Sequence, residues 1–465
     1  MTTHTRPDAG IQQRGRARDL RSEFARVERI LMDTPAVDKF FSIPTEEFIN
    51  RQRMVYEALR ERGLEAGLVF SDEHYNGDVP YLGGNTNVQI EQVAGVLGKS
   101  GFHIAAGLEG GYLAEQLASR ARAKVHKIEM LKLAGEDYTI EAERLEDVIE
   151  EAAGRRVQQI GLLSPRQVIP AAVVEYLEGL FGRENVIDCP DLYQRIKYEK
   201  SDNEMRLIRD ANIIADAMLR AMLAVLRPGM LETEVAAWGY FVGRELGAEE
   251  MGWDVMVGAN SANRTLIGKA LNRVIGEGDY VHLGAAPKRD GLNACVRRSC
   301  VAVERPAQLT DEQRFWLGFV EEAYEVGLGA LREVAANNLH ACTVEKALVD
   351  FYRFKEEEAG RRLGKAIPLA RLKPYSSVHN AGYTECQEFY GAVTLDSAHP
   401  LARQIVLMLD VALRGIHDSW NDVVIPGMDF VVIENTCGKF GQRLEEFNAL
   451  PRNVQELVGH AGGSI

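Results

Sequence analysis

Apolar positions in the first part of the chain alternate between two periods. From Thr45 to Gly63, the apolar positions Phe48, Met54, Leu59 and their neighbours suit an amphipathic helix that Gly63 stops. Short apolar runs at Leu68–Phe70, Val96–Leu97, Phe102–Ala105 and Ile160–Leu163, with a helical pattern over Tyr112–Ala123 among them, predict α/β layering. The pattern changes near Cys189–Ile196. From Lys200 a stripe formed by Met205, Ile208, Ala211, Ile214, Ala215, Met218 and Leu219 predicts one long helix, closed by Arg227-Pro228-Gly229. A second helix is predicted over Glu232–Leu246, ending before Gly247. Strand-like runs at Tyr280–Leu283 and Ala294–Val303, a helix-rich stretch over Asp311–Gly360 and further strands near Glu434 follow. This divides the chain into an N-terminal arm (1–35), a smaller α/β domain (36–195) and a larger domain (196–465).

Composition narrows the class. With 465 residues, 46% hydrophobic and 26% charged, the chain has material for two buried cores. A net charge of −14 without a basic stripe argues against a nucleic-acid surface. No run approaches the roughly 20 apolar residues of a membrane span, and the polar, arginine-rich start lacks an apolar signal core. Six scattered cysteines form neither zinc-ribbon pairs nor a disulfide framework, so a cytoplasmic location is expected. The arm reads as a mobile tail or a dimer contact.

Four motifs then occur in a telling order. Arg195-Ile196-Lys197, Glu204, Ile208 and Ala211, closing in Leu226-Arg227-Pro228-Gly229-Met230-Leu231-Glu232, form the first; Gly276-Glu277-Gly278-Asp279 before a strand is the second. His379 followed by Gly382 is the third, and Ile425-Pro426-Gly427-Met428 leading to Glu434 the fourth. Together they resemble the creatinase, aminopeptidase P and prolidase family. The resemblance implies an α/β, two-domain chain: a smaller creatinase-like N-terminal domain and a C-terminal pita-bread catalytic domain, with a homodimer as the usual assembly.

Family metalloenzymes hold two divalent ions with two aspartates, a histidine and two glutamates, because hard carboxylates bridge paired cations. By resemblance these positions fall here on His282, Cys295, His379, Glu434 and Glu445, so two ligand types are changed and three kept. A histidine or a cysteine taken alone is also what a packed core holds; together at two ligand positions they suit a softer ion. The resemblance therefore implies either one divalent transition metal or none. Glu445 is preferred to Glu446, since a one-residue slip turns a strand residue to the other face.

Other positions define the substrate side. The segment Val257–Thr265, which in the family ends in a catalytic histidine, ends here at Arg264 or Thr265. Arg298 matches the family's arginine, and Arg297 stands where creatinase carries a glutamate. Arg297, Arg298 and Thr265 are accordingly expected at the substrate, with Arg297 favouring an anionic small molecule. Val406–Val424 lengthens the interval after His379 and contains His417, Asp418 and Trp420, read as a surface hairpin or dimer contact with His417 in reserve as a ligand. The leading expectation is a hydrolase of a carbon–nitrogen bond in a small non-peptide molecule, with His379, Glu434 and Glu445 catalytic. Alternatives are a lyase acting next to a carboxylate or carbonyl, a prolidase-like metallopeptidase with unusual ligands, and a non-catalytic binding protein.

Overall fold

The computed structural model describes residues 18–133, 141–259, 268–384, 391–419 and 421–460. Two helices lead, α1 (Leu20–Asp33) and α2 (Thr45–Glu61). Then come β1 (Gly67–Ser71), α3 (Asp78–Gly83), β2 (Val93–Gly98), β3 (Gly101–Ala106), α4 (Leu108–Ala118) and β4 (Lys124–Lys127). This half closes with α5 (Leu145–Ala153), β5 (Ile160–Leu162), α6 (Ala171–Phe181), β6 (Val186–Asp188) and α7 (Pro190–Tyr198). The strands form one six-stranded sheet in the order β4-β3-β2-β1-β5-β6. Its apolar side chains pack against helices on both faces, as the predicted layering requires.

The second half starts with α8 (Asp202–Val225), nucleated by a Ser201–Glu204 capping box, and α9 (Glu232–Leu246). It continues through β7 (Glu250–Met251), β8 (Met256–Ala259), β9 (Tyr280–Ala285), β10 (Pro287–Arg289), β11 (Leu292–Asn293) and β12 (Val296–Val301). Helices α10 (Asp311–Asn337), α11 (Cys342–Leu363) and α12 (Leu369–Leu372) precede β13 (Val378–Asn380) and β14 (Ala392–Val393). The chain returns through β15 (Gln404–Arg414), β16 (Phe430–Phe440), β17 (Arg443–Glu446) and α13 (Val454–His460). An eight-stranded antiparallel sheet runs β14-β13-β15-β16-β12-β9-β8, with β17 on β16. One face of it is covered in two blocks: α10 and α11 over β15 and β16, and α8 and α9, with α1 packed on them, over β8, β9 and β12. The other face carries buried polar groups among apolar residues, with Val406 and Met408 packed in the core shared with the N-terminal half.

Two expectations change here. The N-terminal arm, over its described part, is a helix seated on α8 and α9: Val27 and Ile30 are buried, and Trp238 Nε1 donates to Glu23 Oε2 at 2.8 Å. The run Val406–Val424 is mostly no surface hairpin, because Gln404–Arg414 pairs with both β13 and β16 at the centre of the sheet. Its buried apolar side chains need cover on both faces, which only a central strand provides.

The halves are tied by Arg51 of α2, 3% exposed. It donates to Tyr383 Oη at 2.8 Å and to the Tyr81 carbonyl at 3.2 Å, and pairs with Glu47 at 2.5 Å and Glu204 at 3.1 Å. The turn between β10 and β11 adds a second tie. Asp290 and Gly291 take φ of 48° and 79°, the paired positive values of a tight hairpin turn, and the Asp290 carboxylate accepts from the Ile43 amide at 2.7 Å.

Candidate active site

Antiparallel pairing puts directly opposed residues on one face, and alternation repeats that face every second residue. Arg297 of β12 lies opposite Glu434 of β16 and Gly284 of β9. Glu434 lies opposite Asp410 of β15, while His379 of β13 lies opposite Met408, two residues away. His282 is two residues from Gly284, so all five side chains share the face that the large helices leave uncovered.

They form one network. Arg297 Nε donates to His282 Nε2 at 3.0 Å, and its Nη1 donates to Asp410 Oδ2 at 3.0 Å and Glu434 Oε2 at 3.4 Å. Tyr375 Oη donates to Asp410 Oδ1 at 2.9 Å. His379 Nδ1 lies 3.1 Å from the Asn380 carbonyl, an acceptor only, so this nitrogen carries a hydrogen. Its Nε2 then faces Glu434 Oε1 at 3.3 Å, an arrangement that needs a proton or a metal ion between them. His379 Nε2 and the Asp410 and Glu434 carboxylates offer donor atoms all within 4.8 Å of one another.

Burial shapes the acidities. Asp410 is pushed up to about 7 by burial and by the Glu434 carboxylate beside it, against the pull of Arg297. For Glu434 burial acts upward too, but hydrogen bonding from His379, the charge of Arg297 and the Cys295 thiol together hold it below the usual carboxylate range. His282 is driven well down by burial and then by Arg297, so it is a neutral ring accepting from the guanidinium.

Residues 206–383 match the model of metallopeptidase family M24, and the sheet wrapped on one side by two helical blocks is the architecture of its solved relatives. The chain has the pita-bread fold. Over 87% of its length it superposes on 98% of the X-Pro aminopeptidase of Thermotoga maritima MSB8, with a TM-score of 0.66 and 17% identity. An uncharacterized peptidase, YqhT, of Bacillus subtilis (strain 168) is 22% identical over 230 residues, 49% of this chain and 62% of that protein. The Xaa-Pro dipeptidase of Pyrococcus horikoshii OT3 is 24% identical over 195 residues, 42% of this chain and 54% of its own. These matches thus span less than two thirds of either curated relative's length.

The pita-bread ligand positions are only partly assembled. His379 and Glu434 come together as the resemblance implies, but Glu445 does not join them. It shares their face, yet its β17 partner Gly438 is four residues along β16 from Glu434, roughly 13 Å at strand rise. Its carboxylate instead pairs with Arg209 at 2.7 Å. Glu446 turns to the other face and accepts from Tyr324 Oη at 2.5 Å. Cys295 spends its thiol on Glu434, and His282 its Nε2 on Arg297. Asp410, not singled out from the sequence, is the second carboxylate. Its signal was a lone acid inside the buried apolar run Gln404–Arg414.

Substrate-side expectations change as well. Arg297 is held by two carboxylates and His282, and so is not a free cation for an anionic substrate. Arg298 lies on the opposite face by alternation and donates to the Glu434, Leu450 and Pro451 carbonyls at 3.0, 2.9 and 2.8 Å, a backbone clamp away from the substrate side. Arg264, Thr265 and Trp420 lie outside the described residues. His417 belongs to the connection after β15, its amide bonded to the Asp422 carbonyl at 3.0 Å, and Asp418 is fully exposed. Neither joins the cluster.

The donor set decides what metal chemistry fits. One divalent ion suits His379, Asp410 and Glu434, a nitrogen and two hard carboxylates. A bridged pair does not fit, since positions 282 and 295 offer no carboxylate and Arg297 already places a positive charge beside the cluster.

Proposed function

We propose that this pita-bread chain hydrolyses amide carbon–nitrogen bonds in small substrates, dipeptides first among them. The convergence of His379, Asp410 and Glu434 within 4.8 Å on one sheet face carries the reading. The relatives' names, an X-Pro aminopeptidase and an Xaa-Pro dipeptidase, support a peptide rather than the non-peptide molecule expected from the sequence. The engagement of Arg297 removes the main argument for an anionic substrate.

A divalent ion held by His379, Asp410 and Glu434 would supply Lewis-acid polarisation of the scissile carbonyl. The chain's own groups prepare that site. The Asn380 carbonyl fixes the His379 tautomer and turns Nε2 toward the reacting side. Arg297 and Tyr375 hold Asp410 in one orientation, and its carboxyl, pushed up to about 7 by burial and Glu434, is a weaker acid than usual and so can take up and return a proton near neutrality.

The test is an assay of purified protein against dipeptides, including Xaa-Pro, beside small non-peptide amides, before and after chelation. Dipeptide cleavage that falls about 100-fold or more in His379→Ala and Glu434→Gln, with unchanged circular dichroism, is the expected result. Turnover untouched by both substitutions, or none on any amide, would sink the reading.

A further inference from the structure

We infer that His103, His126 and Glu151 form a binding site for a divalent ion of the zinc class at the edge of the N-terminal sheet, separate from the active-site face and independent of the proposed activity. β3 and β4 pair in parallel with His103 beside Lys124 and Ala105 beside His126. Both histidines therefore point to the face on which α5 packs, and α5 supplies Glu151. The rings are 4% and 1% exposed by residue and stack with centroids 5.2 Å apart.

Hydrogen-bond direction makes the case. Ser100 Oγ lies 2.7 and 2.9 Å from the Glu151 and Ala152 carbonyls, which only accept, so its one hydrogen is committed there. Its oxygen must then accept from His103 Nε2, 3.0 Å away. On the other ring, His126 Nδ1 donates to the Glu143 carboxylate at 2.9 Å. Each ring has thus placed its hydrogen on the outer side. His103 Nδ1 and His126 Nε2, 2.9 Å apart, present lone pairs to each other.

Two facing lone pairs need a cation between them. A proton would put an imidazolium among buried groups, which burial disfavours. A divalent ion is better served, because a Glu151 carboxylate oxygen lies within 4.8 Å of one nitrogen of each ring and supplies a third, anionic ligand. The Glu143–His126 bond is the carboxylate–histidine pairing that orients ligand imidazoles in metal sites. Two Zn–N bonds at a tetrahedral angle set ligand nitrogens roughly 3.3 Å apart, so the rings need part by only a few tenths of an ångström. The ion would pin a four-residue edge strand to a helix. Lys124, which pairs with Glu151, is its competitor.

Metal-depleted full-length protein titrated with zinc chloride by calorimetry, with melting followed in parallel, tests this. The wild-type chain should bind a zinc ion that His126→Gln loses and His379→Gln retains, and the melting temperature should rise as it binds. Glu151→Gln should weaken its Kd at least tenfold and Lys124→Gln should tighten it several-fold. Both of those side chains are about half exposed, at 43% and 57%, so they decide the matter even if His126→Gln does not fold. Zinc binding unchanged in His126→Gln, or equal affinity in Glu151→Gln and Lys124→Gln, would overturn the site and leave a proton shared between the rings.

Discussion

On the active-site face two buried carboxylates are met by a guanidinium that belongs to the chain, with Tyr375 and His282 completing its contacts. At the edge of the N-terminal sheet two imidazole nitrogens face each other while the nearby lysine is turned to Glu151. Both places bury polar groups whose isolation would be costly. The first supplies its own cation and so is fixed at all times, whereas the second depends on one from solvent and so responds to what solvent offers. A charge that is part of the chain also limits what can be added: a guanidinium beside Asp410 leaves room for one further cation there, not two.

The comparison can be broken most directly at Arg297. Arg297→Met strands Asp410 and Glu434 without their partner, and should lower the unfolding free energy by about 3–5 kcal/mol in a urea titration. A loss under about 1 kcal/mol would mean that the carboxylates are neutralised some other way. Adding Asp410→Leu to Arg297→Met removes both charges, and should recover part of that stability but none of the activity. Asp410→Asn keeps the shape and the Tyr375 contact while removing the titrating group. Amide hydrolysis should fall about 10²-fold with little change in melting; full activity would return the role of second carboxylate to Glu445. The smallest effect is expected at Glu445 itself. Its ion pair with Arg209 is partly exposed, both side chains being about one-third open. Glu445→Gln should therefore cost under about 1 kcal/mol and leave turnover intact.

Much of this face was legible in the sequence because it depends on alternation. His379 and Glu434 stand in motifs with a turn or glycine on one side and a strand on the other, and a period of two then fixes their face. The same rule separates Arg297 from Arg298, though not what each touches. What the sequence could not reveal is lateral register. Glu445 is on the correct face but too far along β16, a displacement set by how β17 folds back through Gly441. Asp410 was hidden for the converse reason: its local mark, a lone acid in an apolar run, does not say what it faces, and its importance comes from lying opposite Glu434 in the strand pairing. The seat of α1 was hidden because its apolar positions, Phe24, Val27, Ile30 and Leu31 among them, fit an amphipathic helix without saying which surface it covers, and that surface comes from α8 and α9, far along the chain.

The Arg51 tie has a consequence for how such a chain can be rearranged. Tyr383, which receives its hydrogen bond, is four residues beyond His379, and Glu204, its buried ion-pair partner, opens the first long helix of the larger half. A chimera that takes its first half from another chain would put a foreign surface against both and leave Glu204 without its counter-charge. Neither half is therefore an interchangeable module: the first carries a fastener for the strand that presents His379, and exchange should succeed only when Arg51, Tyr383 and Glu204 travel together.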